Sequence, residues 1–347
     1  MARRILWGSL ALAPATIVIH YALHPDDVVE FVLAALALVP LAWLIGEATE
    51  QAAHHTGPGI GGFLNATFGN APELIIALLA IHEGLPEVVR GSLTGSVVGN
   101  LLLVLGFSLI FGGHGQLDRE SSFVSLGLVA LAVVLLLVPA VPGWSGAPER
   151  HSLAVLSLPV SVALLVVYVA ATWYNLRRHR ELHLASEPTD TEAWSLGVTL
   201  AVLSAATVVT ALIAEILVGS LEAFGEKVHL SDFFVAAVIV AIVGNAAEHG
   251  GAVVIARHGN VELASEIAIS SSAQVALFVT PVVALLSFAV TPALSLAFRP
   301  VELGAMGFAA AAVALGVASG RSRRREGALL MALYVAVAVV FGFAGDR

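Results

Sequence analysis

The chain has 347 residues, of which 58% are hydrophobic and only 12% charged, and its mean hydropathy is +0.93. Soluble domains carry about 25% charged residues, so this composition is that of a polytopic membrane protein. The lack of cysteine excludes disulfides, zinc–thiolate sites and thiol catalysis. A formal net charge of −9 runs against nucleic-acid binding, although in a membrane the position of each charge outweighs the sum.

Taking about 20 apolar residues per crossing, the sequence predicts an all-α membrane protein with about eleven spans. They centre near residues 14, 42, 71, 100, 131, 163, 206, 243, 276, 309 and 335. Arg3 and Arg4 precede a first apolar run long enough to cross, and no convincing small-x-small cleavage site precedes Asp26. A retained first helix over 1–24 is therefore expected. A five-span unit follows over 25–175, then a cytosolic linker over 176–192 and a second five-span unit over 193–347. The linker, within NLRRHRELHLASEPTDTEAW, runs from basic to acidic and reads as a solvated connector, with cation sensing as the alternative.

Orientation follows from the Lys/Arg bias. With the N-terminus inside, eleven of the sixteen Lys and Arg residues fall on inner segments, which places the C-terminus outside. The inner run GRSRRREG reads as a topology anchor compatible with anionic-lipid contact. Lys227 is the only lysine, and Ala, Val and Leu dominate, which fits a GC-rich prokaryote. The expected site is the cell membrane of such an organism, or an endomembrane if the source is eukaryotic.

GNAPELIIALLAI from Gly69 returns in altered form as GNAAEHGGAVVIA from Gly244, 175 positions on. Each copy sets an acid, Glu73 or Glu248, inside an apolar run. A charge at such depth costs roughly 2.5–3.5 kcal/mol on insertion scales, a cost borne where ions or protons pass. Glu47 and Glu222 each lie 22 residues before a motif, and GSVVGN at Gly95 aligns with SSSAQV at Ser270. Repetition at this length means duplicated bundles. Because five spans are odd, the second copy is inverted relative to the first, an architecture in which interrupted helices meet at the midplane.

The residue types suit a divalent cation such as Ca²⁺, which takes about 6–8 oxygen ligands. Glu73 and Glu248 supply two negative charges. Gly69 and Gly244 permit close approach and local unwinding, and Pro72 removes an N–H so that the carbonyl of Phe68 loses its helical partner. Asn70, Asn245, Asn100, Gln274 and Ser271 can add ligands; the Asn pair can equally bond helix to helix. The two acids also suit proton exchange, since cation and proton compete for the same oxygens. Glu47, Glu50, Glu215 and Glu222 on the preceding helices line an ion path or sit at an interface. His249 relays protons or packs. GPGIGG at Gly57 lacks the strand and Lys-Ser/Thr of a phosphate loop, and neither HExxH nor GxSxG occurs, which leaves an enzyme without a nucleophile or cofactor motif.

GGFLNATFGNAPELIIALLAI and VGNAAEHGGAVVIA resemble the paired signature motifs of the Ca²⁺/H⁺ antiporter (cation/proton exchanger) family of the Ca²⁺/cation antiporter superfamily. GEATEQAAHHTGP, GNLLLVLG, SSSAQVALFVTPV and EGALLMALY extend the resemblance over most of the chain from Trp43. It implies an extra first helix plus two inverted five-helix repeats. It also implies that Glu73 and Glu248 alternately hold Ca²⁺ and H⁺, with Gln274 and the motif backbone nearby. Partners are then the two ions and the bilayer, with no further cofactor and with homo-oligomerisation left open. Sodium-coupled relatives resemble GTSxPE around this acid, and Gly-Asn-Ala in both copies here favours protons. Gly250 and Gly251, the run SGRSRRREG without an acid before it, and the short acidic set Glu187, Asp190 and Glu192 depart from the family pattern. They leave selectivity for Mn²⁺, Na⁺ coupling and regulation as alternatives, with a passive channel as the reading from another class.

Overall fold

The computed structural model describes residues 2–183, 194–289 and 293–346, without the side chains of 2–4, 57–63, 65, 66 and 175–183. Most of the linker, Glu187, Asp190 and Glu192 included, lies outside these residues, as do the side chains of Arg177, Arg178 and Arg180.

The apolar runs fold as helices, because a chain in hydrocarbon must satisfy its backbone internally. In order these are α1 (Ala2–Ser9), α2 (Leu12–Leu23), α3 (Asp27–Phe68), α4 (Ala71–His82), α5 (Pro86–Val98), α6 (Leu105–Gly112), α7 (Arg119–Gly143) and α8 (His151–His183). There follow α9 (Leu196–Gly219), α10 (Leu221–Val228), α11 (Asp232–Phe234), α12 (Ala241–Gly244), α13 (Ala246–Arg257), α14 (Val261–Gln274), α15 (Thr280–Leu286), α16 (Pro300–Val317) and α17 (Arg324–Ala344). One two-residue ribbon pairs β1 (Gly115–Gln116) antiparallel to β2 (Arg321–Ser322).

Among the described residues nine helices are long and apolar enough to cross a bilayer. A tenth is counted if α10 and the segment Asp232–Gly244, bent by 111°, form one span. The sequence predicts about eleven. The difference falls on the two motif segments, which are broken helices and not continuous spans. The third expected span is divided between the end of α3 and the 12-residue α4 at Gly69–Asn70, and the eighth between α12 and α13 at Asn245.

The duplication is visible in the backbone. Gly84 and Gly259, 175 positions apart, both take left-handed φ (79° and 93°) in the turns after α4 and α13. Both α5 and α14 run into a π turn, Gly99–Val104 and Val275–Val279, again at the repeat spacing. Such turns recur at functional sites because they shift a helix's side-chain register. Thr280 donates its hydroxyl to the Val275 carbonyl, satisfying a group at the second π turn.

The α5–α6 span is 83% buried and forms the core, whereas the first span is 11% buried and lies at the edge against α3 and α9. The two halves cross where α5 meets the π turn Val235–Val240. A Cβ on Gly95 would sit 2.0 Å from the Ala237 carbonyl oxygen, so only glycine permits this approach. A second feature is an extended segment, Leu294–Arg299, buried although irregular. Several of its backbone polar groups are satisfied one by one by side chains. Leu294 and Leu296 donate N–H groups to Ser287 and Ser157, and the Ser295 and Phe298 carbonyls accept from Arg90 and Trp144.

Candidate cation site

Breaking each motif helix at Gly-Asn sets two helix N-termini inside the bundle. Asn70 (φ −98°, ψ 17°) and Asn245 (φ −91°, ψ 8°) take nearly the same bridge conformation, and Glu73 and Glu248 follow in the first turns of α4 and α13. An N-terminal turn carries partial positive charge, so it favours a carboxylate there. Asparagine at such a position normally caps its own helix, yet neither side chain does. Asn70 Nδ2 instead donates to Gln274 Oε1 across the halves (3.3 Å), and Asn245 Nδ2 donates to Ser96 Oγ (2.8 Å) and to the Ala241 carbonyl.

Glu73 is 9% exposed and packs against the bare backbone of Gly244. It borders a cavity of about 10 Å³ shared with Ser92, Ser96, Leu93 and Val240, room for roughly one water. Its Oε2 and the Oδ1 of Asn245 are buried oxygens without a hydrogen-bond partner. Buried acceptors are rarely left so, and such lone pairs are what a cation uses.

Around Glu248 the arrangement differs. His249 Nε2 lies 3.0 Å from Asn100 Oδ1, Asn100 Nδ2 donates to Ser271 Oγ at 3.1 Å, and the Ser271 hydroxyl donates to Glu248 Oε2. With Asn100 accepting at its oxygen, His249 carries its proton on Nε2. All three bonds then point their donors toward the Glu248 carboxylate. Gln274 and Ser271 both lie at the end of α14, just before the π turn.

The structure thus gathers Glu73, Glu248, Asn70, Asn245, Asn100, Gln274, Ser271, His249 and Gly244 into one region, with Gly69 and Phe68 at the break before α4. Glu47 is half-buried on α3 and hydrogen-bonded or paired. Glu50, Glu215 and Glu222 are exposed. Ser96 and Ser92 are site residues that the sequence reading passes over. Ser96 stands at the repeat position of Ser271 in the aligned GSVVGN and SSSAQV segments, which is the signal that identifies it.

Known proteins fit this geometry. The sodium/calcium exchanger protein family model matches residues 27–177 and 198–343. The Ca²⁺/H⁺ antiporter ChaA of Bacillus subtilis is 38% identical over 351 residues, spanning 97% of this chain and 99% of its own. Vacuolar cation/proton exchanger 1a of Oryza sativa is 37% identical, over 91% of this chain and 75% of its own. The solved structure of native YfkE superposes with a TM-score of 0.84 at 35% identity, covering 97% of this chain and 99% of that one. The chain belongs to the sodium/calcium exchanger protein family, in its Ca²⁺/H⁺ antiporter branch.

Proposed function

We propose that the protein is a secondary active antiporter that exchanges cytosolic Ca²⁺ for H⁺ by alternating access. Glu73 and Glu248 hold the cation and the proton in turn. The observation that carries this is the pair of broken-helix N-termini, each presenting an acid, with Glu73 Oε2 and Asn245 Oδ1 buried and without a hydrogen-bond partner. A bare carboxylate pair at this depth is costly, so the pair is occupied by a cation or by protons during each crossing. Asn70, Asn245, Asn100, Gln274, Ser271 and the carbonyls of Phe68, Gly69 and Gly244 complete the oxygen set directly or through water. The Gly-Asn-Ala context, free of the hydroxyls of a Thr-Ser pair, supports proton coupling.

His249 relays protons along its bond to Asn100, and Glu47, Glu50, Glu215 and Glu222 lie along the entry and exit paths. The chain divides into a first helix (1–24), a five-helix repeat (25–175), a linker (176–192) and an inverted repeat (193–347), with the N-terminus inside. Bacterial and vacuolar relatives support a multi-pass protein of a prokaryotic cell membrane, or of an endomembrane in a eukaryote.

Everted membrane vesicles test the reading. Addition of Ca²⁺ should dissipate an acid-inside gradient, and a pH gradient should drive Ca²⁺ uphill in proteoliposomes. Uptake driven by Na⁺ alone would shift the coupling ion, preference for Mn²⁺ would shift the cargo, and failure to concentrate any ion would leave a channel.

A further inference from the structure

At one end of the bundle the loops after α6 and α16 are joined by the β1–β2 ribbon. Ser322 Oγ donates to the Gly113 carbonyl, and Leu117 N–H donates to the Gly320 carbonyl at 3.0 Å. Gly113 and Gly320 both have left-handed φ, 74° and 65°. Each is overlaid by an arginine from the opposite loop. A Cβ on Gly320 would meet Arg119 Cδ at 2.8 Å, and one on Gly113 would meet Arg324 Nε at 3.4 Å. The ribbon therefore holds Arg119 and Arg324 across it, beside Arg321 on β2 and Arg325 one residue on. All four are exposed.

The acids of these loops are engaged elsewhere. Asp118 accepts from Ser121 N–H, Glu266 from the Ser121 hydroxyl, and Glu326 pairs with Arg323 at 3.3 Å. Glu120 has a partner of its own, and Glu262 lies in the first turn of α14, where the helix N-terminus compensates it. Among the described residues, no carboxylate pairs with Arg119, Arg321, Arg324 or Arg325.

An apolar shelf adjoins these guanidiniums. Phe107 and Phe111 stack at 6.0 Å at the end of α6, with Phe111 48% exposed. On α17, Leu329 is 58% exposed one turn after Arg325, on the same face. The helices α6 and α17 are tightly joined, since a Cβ on Gly327 would lie 2.6 Å from the Gly106 carbonyl oxygen. Guanidiniums without a carboxylate partner thus lie in the loops that adjoin the ends of α6 and α17, the helices that carry the exposed Phe111 and Leu329.

We propose that this ribbon is a binding site for an anionic phospholipid. The phosphate headgroup is held by Arg119, Arg321, Arg324 and Arg325, and the acyl chains lie along Phe111 and Leu329. Guanidinium forks match phosphate oxygens in a bidentate way, and basic side chains at the headgroup level select anionic lipids. Because the ribbon joins loops from both repeats, a lipid here braces the two halves at one end.

Native mass spectrometry of the full chain with added phosphatidylglycerol or phosphatidylcholine tests this independently of which ion is carried. Wild type should retain phosphatidylglycerol roughly tenfold better. The R119Q/R321Q/R324Q/R325Q variant should lose that preference, and the corresponding four-lysine variant should recover part of it. Inorganic phosphate should not displace the lipid, since it lacks the chains that meet Phe111 and Leu329. Equal retention of the two lipids by wild type, an unchanged preference in the glutamine variant, or displacement by phosphate would overturn the proposal. If the glutamine variant fails to insert, unfolding of wild type in nanodiscs of each lipid decides. A phosphatidylglycerol-specific rise in unfolding temperature that disappears with salt is expected, and its absence overturns the site.

Discussion

The two motif helices share a backbone and differ in surroundings. Asn70 and Asn245 have matching dihedrals, and both acids sit in the first turn after the break. Yet Glu248 accepts from a chain of donors ending in Ser271, whereas Glu73 borders a small cavity lined by Ile76, Leu93, Val240, Ser92 and Ser96 and keeps one oxygen unpaired. The cause is at three repeat positions. His249 corresponds to Leu74, Asn100 to Val275 and Gln274 to Gly99. Duplication therefore supplied two equal acids, and later divergence placed the fixed hydrogen-bond donors around one of them. The acid with donors has a set geometry, while the acid without them is free to meet whatever enters.

The comparison requires that both acids be indispensable despite their unequal shells. Glu73→Gln and Glu248→Gln should each reduce Ca²⁺-dependent proton movement in everted vesicles to background, because an amide cannot supply the charge a divalent cation needs. Substantial exchange remaining in either variant would break the symmetry of role.

A second asymmetry lies at the N-terminal end of α5. Arg90 is 1% exposed, 2.6 Å from Glu149 and 3.2 Å from the Ser295 carbonyl, with Glu87 at 4.0 Å. Its repeat counterpart, Ser265, only returns a hydroxyl to the Val261 carbonyl of its own helix. Arg90→Met leaves Glu149 without its cation and the Ser295 carbonyl in the buried segment without its donor. Because Glu149 is exposed and water can take over its carboxylate, the variant should be less stable by about 1.5–3 kcal/mol, against about 1 kcal/mol for Ser265→Ala. Thermal unfolding in detergent measures both. Similar losses would mean that the buried Arg90 guanidinium is not what anchors this end.

Within the site, Ser271→Ala removes the donor to Glu248 and the acceptor for Asn100. Hydrogen bonds to charged groups contribute about 1.5–3 kcal/mol, so exchange should fall roughly tenfold to a hundredfold. Ser96→Ala removes only a neutral partner of Asn245, and a fall of about fivefold is expected. Rates measured under one pH gradient give the ratio, and the reverse order would mean that the better-bonded acid is not the more constrained one.

Much of this site was legible because polar residues are rare in apolar spans. Glu73, Glu248, Asn100 and Gln274 stand out for that reason, and the 175-residue spacing pairs the motifs. Ser96 did not stand out, since a serine in a membrane helix usually bonds its own backbone and reads as a small packing residue. Arg90 was counted as an outer loop charge, because local sequence cannot show that Glu149 and Ser295 close over it. The π turns and the buried extended segment arise from tertiary fit and have no local signature. Conversely, the count of about eleven takes each motif segment as one crossing, and the break at each Gly-Asn pair, where Gly69 and Gly244 permit local unwinding, divides that crossing into two helices.

The smallest effect concerns an exposed pair between α10 and the turn before α3. Lys227 on α10 bonds Asp26 and lies 3.9 Å from Asp27, linking the turn before α3 to the second repeat. The Lys227 hydrogen bond, followed by the Val28 N–H, holds the Asp26 carboxyl below its usual 3.8. A carboxyl lowered on folding adds stability that is complete above its ordinary pKa and is lost as pH falls through the lowered one. Lys227→Gln should therefore lower the unfolding temperature slightly at neutral pH, less so in high salt, and not at all once Asp26 is protonated. Both partners are exposed, so the shift should be far smaller than that of Arg90→Met. A loss of comparable size, or one that persists in acid, would show that Lys227 acts through packing on α3. Phe224, three residues before it, stacks on Phe31 at 4.1 Å and would be the route.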